Sequence, residues 1–337
     1  MKRIINVLLV AFVLSLVPAT YASAQWIAQD DFSEGLAKVR DANKKCGFID
    51  KTEKLVIPCK WNWAEPFREG FAAVKDNNGK WGFIDKSGKV VIPCQWYGLS
   101  NFSEGMAWVA DANGKYGFID KTGKLVIPCK WNGTGDFIDG LVKVQSANDK
   151  FGFIDKKGKV VIPCKWNSAE SFSEGLARVN DGSYKFGFIN KKGRIVIPCK
   201  WNDAESFHEG MAMVKDDNDK YGFIDKTGKL VVPCQWKLAG DFKEGLVWVM
   251  DANEKCGYID KTGKIVSPCQ WKHVDDFHEG LARVADANGK YGFIDKTGKL
   301  VIPCQWKNTW PFSEGMAKVQ DANGNWHKID KTGKIIE

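Results

Sequence analysis

Ten cysteines and four histidines are the residues of this 337-residue chain that most invite a chemical reading. Eight of the cysteines, from Cys59 to Cys304, recur at one spacing, each after a proline and two residues before a tryptophan. Zinc sites gather their ligands closely, as in C-x2-C. Here the nearest cysteines stand 13 residues apart (Cys46 to Cys59, Cys256 to Cys269), so no metal is expected. Disulfides need Cα atoms about 4.4–6.8 Å apart, which equivalent positions meet only if neighbouring units stack directly at that point. Free cysteine also packs as a small hydrophobe, so buried thiols and pairwise disulfides both stay open. His208 and His278 share a slot that elsewhere holds Ser, Lys, Arg or Ile. A general base needs a positioned partner, and so permissive a slot reads as surface. His273 and His327 complete the four.

Acidic residues recur more regularly still. Glu34 and its equivalents carry one variant, Asp139, and Asp50 and its equivalents carry one, Asn190. A single carboxylate pair invites a glycosidase reading, but nine copies of each position argue for architecture, since catalysis needs one pair. An aspartate opening a turn bonds its own backbone, and the glutamate beside glycine is expected to act similarly. The D-x-N-G turns lack the third acid and distal glutamate of a calcium loop. No cofactor and no enzymatic activity are expected.

The elements that would position any site are repetitive. Glycine recurs every 35 residues from Gly35 to Gly315, with no insertion or deletion, giving nine units that start near 32, 67, 102, 137, 172, 207, 242, 277 and 312. So short a unit must borrow its core from its neighbours. Within a unit, GLAKV-type segments hold an invariant valine (Val39 to Val319) two residues after a small apolar position. Side chains alternate in a strand, so the slot between them, occupied by Lys38, Ala73, Trp108, Lys143, Arg178, Met213, Trp248, Arg283 and Lys318, is expected to face solvent. Tyr116-Gly117-Phe118-Ile119 reads as a second strand and Leu125 to Trp131 as a third. Asp opening each turn and Gly three residues later suit a type I turn with a left-handed glycine bulge. Proline in the third strand marks its end or an edge. The expectation is an all-β tandem array of about three short antiparallel strands per unit, open and twisted. The alternative is a closed propeller-like ring, kept alive by the phase, since Trp26 falls on the repeated tryptophan position.

A unit reading Phe-x-Glu-Gly-Leu-Ala, then aromatic-Gly-Phe-Ile-Asp-Lys-x-Gly-Lys, then Val-Ile-Pro resembles the WG (KWG-type) repeats of bacterial proteins. The likeness runs from Trp26 to Glu337. It implies β-rich tandem arrays, often secreted or envelope-associated, without a general enzymatic activity. The chain departs from the pattern at Cys46 and Cys256, where the aromatic is lost, and in its unvarying Cys and Trp after the proline. In the last copy His327 and Lys328 replace Gly and Phe, which suits a polar terminal cap.

Residues 1–24 read as a signal peptide: Lys2 and Arg3, an apolar run from Ile4 to Val17, then Ala22-Ser23-Ala24 as the cleavage site. The run is shorter than the roughly 20 residues of a membrane span, so residues 25–337 are expected as a single exported repeat domain without a transmembrane segment. No cysteine adjoins the cleavage site, which argues against lipid attachment. The destination is the periplasm, cell surface or exterior. Cleavage removes two of the positive charges, taking the formal net charge from +8 to +6. So dilute a charge, with no basic stripe, argues against nucleic acid.

Recognition then falls to positions where copies disagree, above all the loop between the repeated tryptophan and the next phenylalanine. Trp63, Tyr97 and Trp310 stand in that loop, and Trp108 and Trp248 in the strand slot. Such rings stack on sugars or anchor protein partners; otherwise they pad junctions between units. The leading expectation is a non-catalytic binding or scaffold protein contacting an envelope protein or glycan. A purely structural spacer, or an enzyme site built at unit junctions, are the alternatives.

Overall fold

The computed structural model describes residues 26–336, so the expected signal peptide lies outside the described residues. Among the described residues every regular element is a strand, and the strands form nine consecutive antiparallel sheets. Sheet two shows the plan, with strands Trp63–Ala64, Phe71–Lys75, Trp81–Asp85 and Val90–Trp96 neighbouring one another in chain order. The sequence pattern foretold the last three of these. The first is two residues long, pairing Trp63 with Lys75 and Ala64 with Val74. An element of two residues is too short to display alternation.

Three turns of fixed chemistry join the strands. Between the first and second, Arg68 and Phe71 exchange both backbone bonds (2.8 and 3.1 Å) around Glu69 and Gly70. Both of these residues have positive φ, 51° and 89°. This is the type I′ geometry that matches strand twist, with glutamate where asparagine is usual. The other two are the expected bulged turns. Gly88 donates to Asp85 O at 2.9 Å, and the Asp85 carboxylate accepts from Ser87 N and Oγ and from Lys89 N. The Asp85 carboxylate is thus engaged by the hydroxyl and amides of its own turn.

In the first eight sheets the fourth strand runs through its proline to the tryptophan as the outer edge, where a missing N–H costs no ladder bond. It bulges there, with the register shifting between Tyr116↔Trp131 and Phe118↔Ile127. The bulge lays backbone over the third-strand glycine. A Cβ on Gly117 would stand 2.5 Å from Ile127 O and 2.7 Å from Cys129 N. Only glycine fits beneath that crossing. At His327, the ninth equivalent, sheet nine has three strands among the described residues and no such strand passes overhead.

Each sheet is apolar on both faces. Leu36, Phe48, Ile57 and Trp61 of sheet one pack on Ala64, Phe67, Ala72, Val74 and Ile84 of sheet two. Eight such junctions follow one another, each centred on a phenylalanine or tyrosine against the next unit's phenylalanine, as in Phe48–Phe67 at 4.9 Å and Phe293–Phe312 at 4.9 Å between centroids. The array is open. Its last sheet leaves Met316 37% exposed, where the equivalent Leu281 is 8% exposed.

Replacing Gly117 by alanine is expected to destabilise the array by about 2–3 kcal/mol through overpacking, read as a lowered midpoint in urea. His327→Gly should leave that midpoint almost unchanged.

Candidate functional site

The strand slot expected to face solvent faces the next sheet instead. Ala73 is fully buried, and Lys38, Trp108, Lys143, Arg178, Met213, Trp248 and Arg283 are half-buried. The cause is that in the first eight sheets the next sheet covers that face, so the slot has no solvent side; Lys318, in sheet nine, is exposed as expected. Long cations in this slot reach across the junction. Lys143 lies 3.3 Å from Glu170, Arg178 lies 3.5 Å from Asp203, and Arg283 donates to Thr309 O at 2.5 Å. Where the slot holds tryptophan, the neighbouring first-strand region holds glycine. A Cβ on Gly98 would contact Trp108 at 3.4 Å, and one on Gly240 would collide with Trp248 at 2.2 Å. Trp108 and Trp248 therefore fill the space that these glycines vacate, and Trp108 also packs against Tyr116 at 5.3 Å.

The three loop aromatics stay exposed: Trp63 at 39%, Tyr97 at 57% and Trp310 at 62%. They do not converge on one pocket. Trp63 donates its indole N–H to Glu65 at 2.7 Å and carries Lys38 and Arg40 about 5 Å from its ring centre. It shares an open cleft with Trp81, Asn62, Asn77, Asn78 and Lys75. Tyr97 lies beneath the Lys80 ammonium. Trp310 lines a separate hollow on sheet nine with Trp326, His327 and Lys318. In the sequence nothing sets Trp81 apart, since it sits on the repeated aromatic position; only its place beside Trp63 marks it out.

The repeated glutamates do more than cap their own turns. Glu69 accepts from the Gly105 amide of the next unit at 3.0 Å and pairs with Lys121 of that unit at 3.1 Å. Seven such amide bonds and eight such lysine pairs run along the array. The exception proves the geometry. Asp139, one methylene shorter, keeps Lys191 at 3.0 Å but makes no bond to Gly175 among the described residues. Burial pulls the Glu69 carboxyl upward, but Lys121 and the Gly105 amide outweigh it and hold it below the usual glutamate range. Glu104, Glu174 and Glu209 follow the same balance. In Glu244 the lysine dominates, and in Glu279 the glycine amide.

All ten thiols are free, and those of Cys46 and Cys256 are buried. Burial, with Asp76 close by, pushes Cys94 up to about 11, and burial with Asp181 does the same for Cys199. These thiols are protonated at neutral pH and poor nucleophiles. Among the described residues no group of three or more His, Cys, Asp or Glu could hold a metal ion. His208 and His273 are exposed, and His327 lies 3.3 Å from Asp321.

A tandem array of antiparallel sheets stacked face to face defines a β-repeat protein. The chain belongs to the family described as WG containing repeat, which matches residues 47–81, 81–116, 116–150, 151–184, 186–221, 221–256, 257–291 and 291–326. No curated protein matches the sequence. Among solved structures it is similar to one described as a crystal structure of the eukaryotic initiation factor, at 13% identity and TM-score 0.52, covering 89% of this chain and 94% of that one. This likeness is one of fold alone. A structure of BamB from Moraxella catarrhalis matches at 13% identity and TM-score 0.37, over 71% of this chain and 84% of that one.

The glutamate ladder sets an acid limit. Carboxyls held low when folded contribute stability above their unfolded pKa, and that contribution disappears as pH falls through the folded value. Melting temperature is therefore expected to drop steeply below about pH 4.5, and a Glu69→Gln, Glu104→Gln, Glu209→Gln variant should show a shallower drop.

Proposed function

We propose that the chain is a non-catalytic binding and scaffold protein of the cell envelope, and that its cleft at Trp63 and Trp81 takes a glycan. The observation that carries this reading is the division of labour between repeated and unrepeated residues. Each polar type that recurs in every unit is engaged in a turn or a junction, as with Asp85 in its own turn and Glu69 across to Gly105 and Lys121. The exposed Trp63 breaks the template on a rigid platform, flanked by the amides Asn62, Asn77 and Asn78. An aromatic face bordered by amide donors and acceptors suits a sugar ring, which offers C–H bonds on one side and hydroxyls around its rim. Protonated thiols and dispersed histidines support the non-catalytic part of the reading. Export rests on the N-terminal pattern of residues 1–24.

On a panel of chitooligosaccharides and peptidoglycan fragments, Trp63→Ala and Trp81→Ala are each expected to weaken binding about tenfold. Trp248→Ala should lower stability and leave affinity unchanged. Absence of any glycan ligand, or affinity indifferent to both cleft tryptophans, would remove this reading. If the chain is exported, mass analysis of the envelope fraction will find a chain beginning at Gln25; full-length chain retained in the cytosol would contradict it.

A further inference from the structure

The two ends of the array carry complementary halves of the junction that operates between every pair of sheets. Three features show it. In the ladder, each glutamate bonds the next unit's glycine amide and lysine, as Glu279 does with Gly315 at 2.9 Å and Lys331 at 3.2 Å. Among the described residues Glu314, at the last such position, makes neither contact, and neither Gly35 N–H nor Lys51 receives one at the first. In the strand slot, Lys143 crosses to Glu170 of the following sheet at 3.3 Å. Lys318 occupies that slot in sheet nine, and Asp30 occupies the acid position in sheet one, where among the described residues it meets only its own sheet's Lys38 at 2.9 Å.

The apolar parts match as well. Trp61 ends the fourth strand of sheet one and packs over Ala72, Val74 and Ile84 of sheet two. Trp26, one period earlier, packs over Ala37, Val39 and Ile49 of sheet one. It stands where the fourth-strand tryptophan of a preceding sheet would stand. Among the described residues sheet nine has three strands and no such tryptophan. Phe32 is 41% exposed on sheet one, whereas its equivalent Phe67 is fully buried, and Met316 and Trp326 are exposed on sheet nine.

We propose that sheet nine of one copy receives sheet one of a second copy, head to tail, so that the internal junction is repeated between molecules. Glu314 then meets Gly35 and Lys51 of the next copy, Lys318 meets Asp30, and Trp26 closes the incomplete sheet. Such a contact is heterologous and extends into a chain of copies instead of stopping at a dimer.

Sedimentation velocity of the purified protein up to on the order of 100 µM tests the contact. A ladder of oligomers that shortens with added salt is expected. Glu314→Lys alone and Lys51→Glu alone should each weaken association about tenfold or more without changing the circular dichroism spectrum. The double variant should recover association, because each copy then supplies one of the swapped charges. A monomer at every concentration would overturn the proposal. So would single variants that associate as the parent does, or a double variant that stays dissociated. A monomer whose melting temperature falls in each single variant and recovers in the double would assign the same contact to closure within one chain, and would equally overturn head-to-tail assembly.

Discussion

Everything in this molecule follows from a sheet that is apolar on both faces. A single unit pairs its own backbone but cannot cover Leu36, Phe48 and Trp61 on one side and Ala37, Val39 and Ile49 on the other. Covering them requires a neighbour above and a neighbour below, so the unit is stable only within a stack. Burial of a phenylalanine or leucine side chain contributes about 1.5–3 kcal/mol, and every junction repeats several such burials in the same register. The polar ladder adds less per contact, since exposed ion pairs contribute about 0–1 kcal/mol. Its glutamates also sit in left-handed backbone at φ near 52°, which costs about 1 kcal/mol for a non-glycine residue. The ladder acts chiefly on registry: it fixes which glycine faces which carboxylate.

The same two-sided burial explains where variation is tolerated. A position under a crossing strand, such as Gly117, has no freedom. A junction slot has freedom of type but not of volume, which is why Trp108 comes with Gly98 and Trp248 with Gly240. Unit seven shows polar substitution under the same limit. Tyr258 and Ser267 are both buried, and each is matched, Tyr258 Oη donating to Asp275 O at 2.6 Å and Ser267 Oγ accepting from the Trp271 indole at 3.0 Å. Among the described residues the equivalent indoles of Trp61, Trp96, Trp131, Trp166, Trp201, Trp236 and Trp306 have no protein partner. Only the loop around Trp63, Tyr97 and Trp310 escapes both limits.

Much of this was legible from spacing alone. The 35-residue period, the all-β class, the bulged Asp-Gly turns and the edge character of the proline strand are written locally, in turn residues and alternation, and local rules suffice to read them. What alternation could not convey was which face of a strand meets water. In an isolated sheet the slot of Lys38 and Trp108 has an outside, whereas here Arg178 and Trp248 reach into the next junction. The glutamate was likewise read as serving its own turn. Its partners lie 36 and 52 residues away, and nothing within one unit points to them. Asp139 was visible as the one variant, but its meaning depends on a distance across the stack. The cleft at Trp63 and Trp81 pairs an off-template ring with an on-template one, and only the first departs from the repeat.

The ladder between units has a mechanical consequence. Each cross-unit bond spans a single junction, and among the described residues no such bond fastens two distant sheets together. Pulled from its ends, such a stack does not fail all at once. It yields sheet by sheet, each lost unit releasing 35 residues of chain, about 120 Å when drawn out. Because the released lengths are equal and the junctions nearly alike, the protein would extend as a line of matched springs, giving slack in fixed increments while the remaining sheets stay folded.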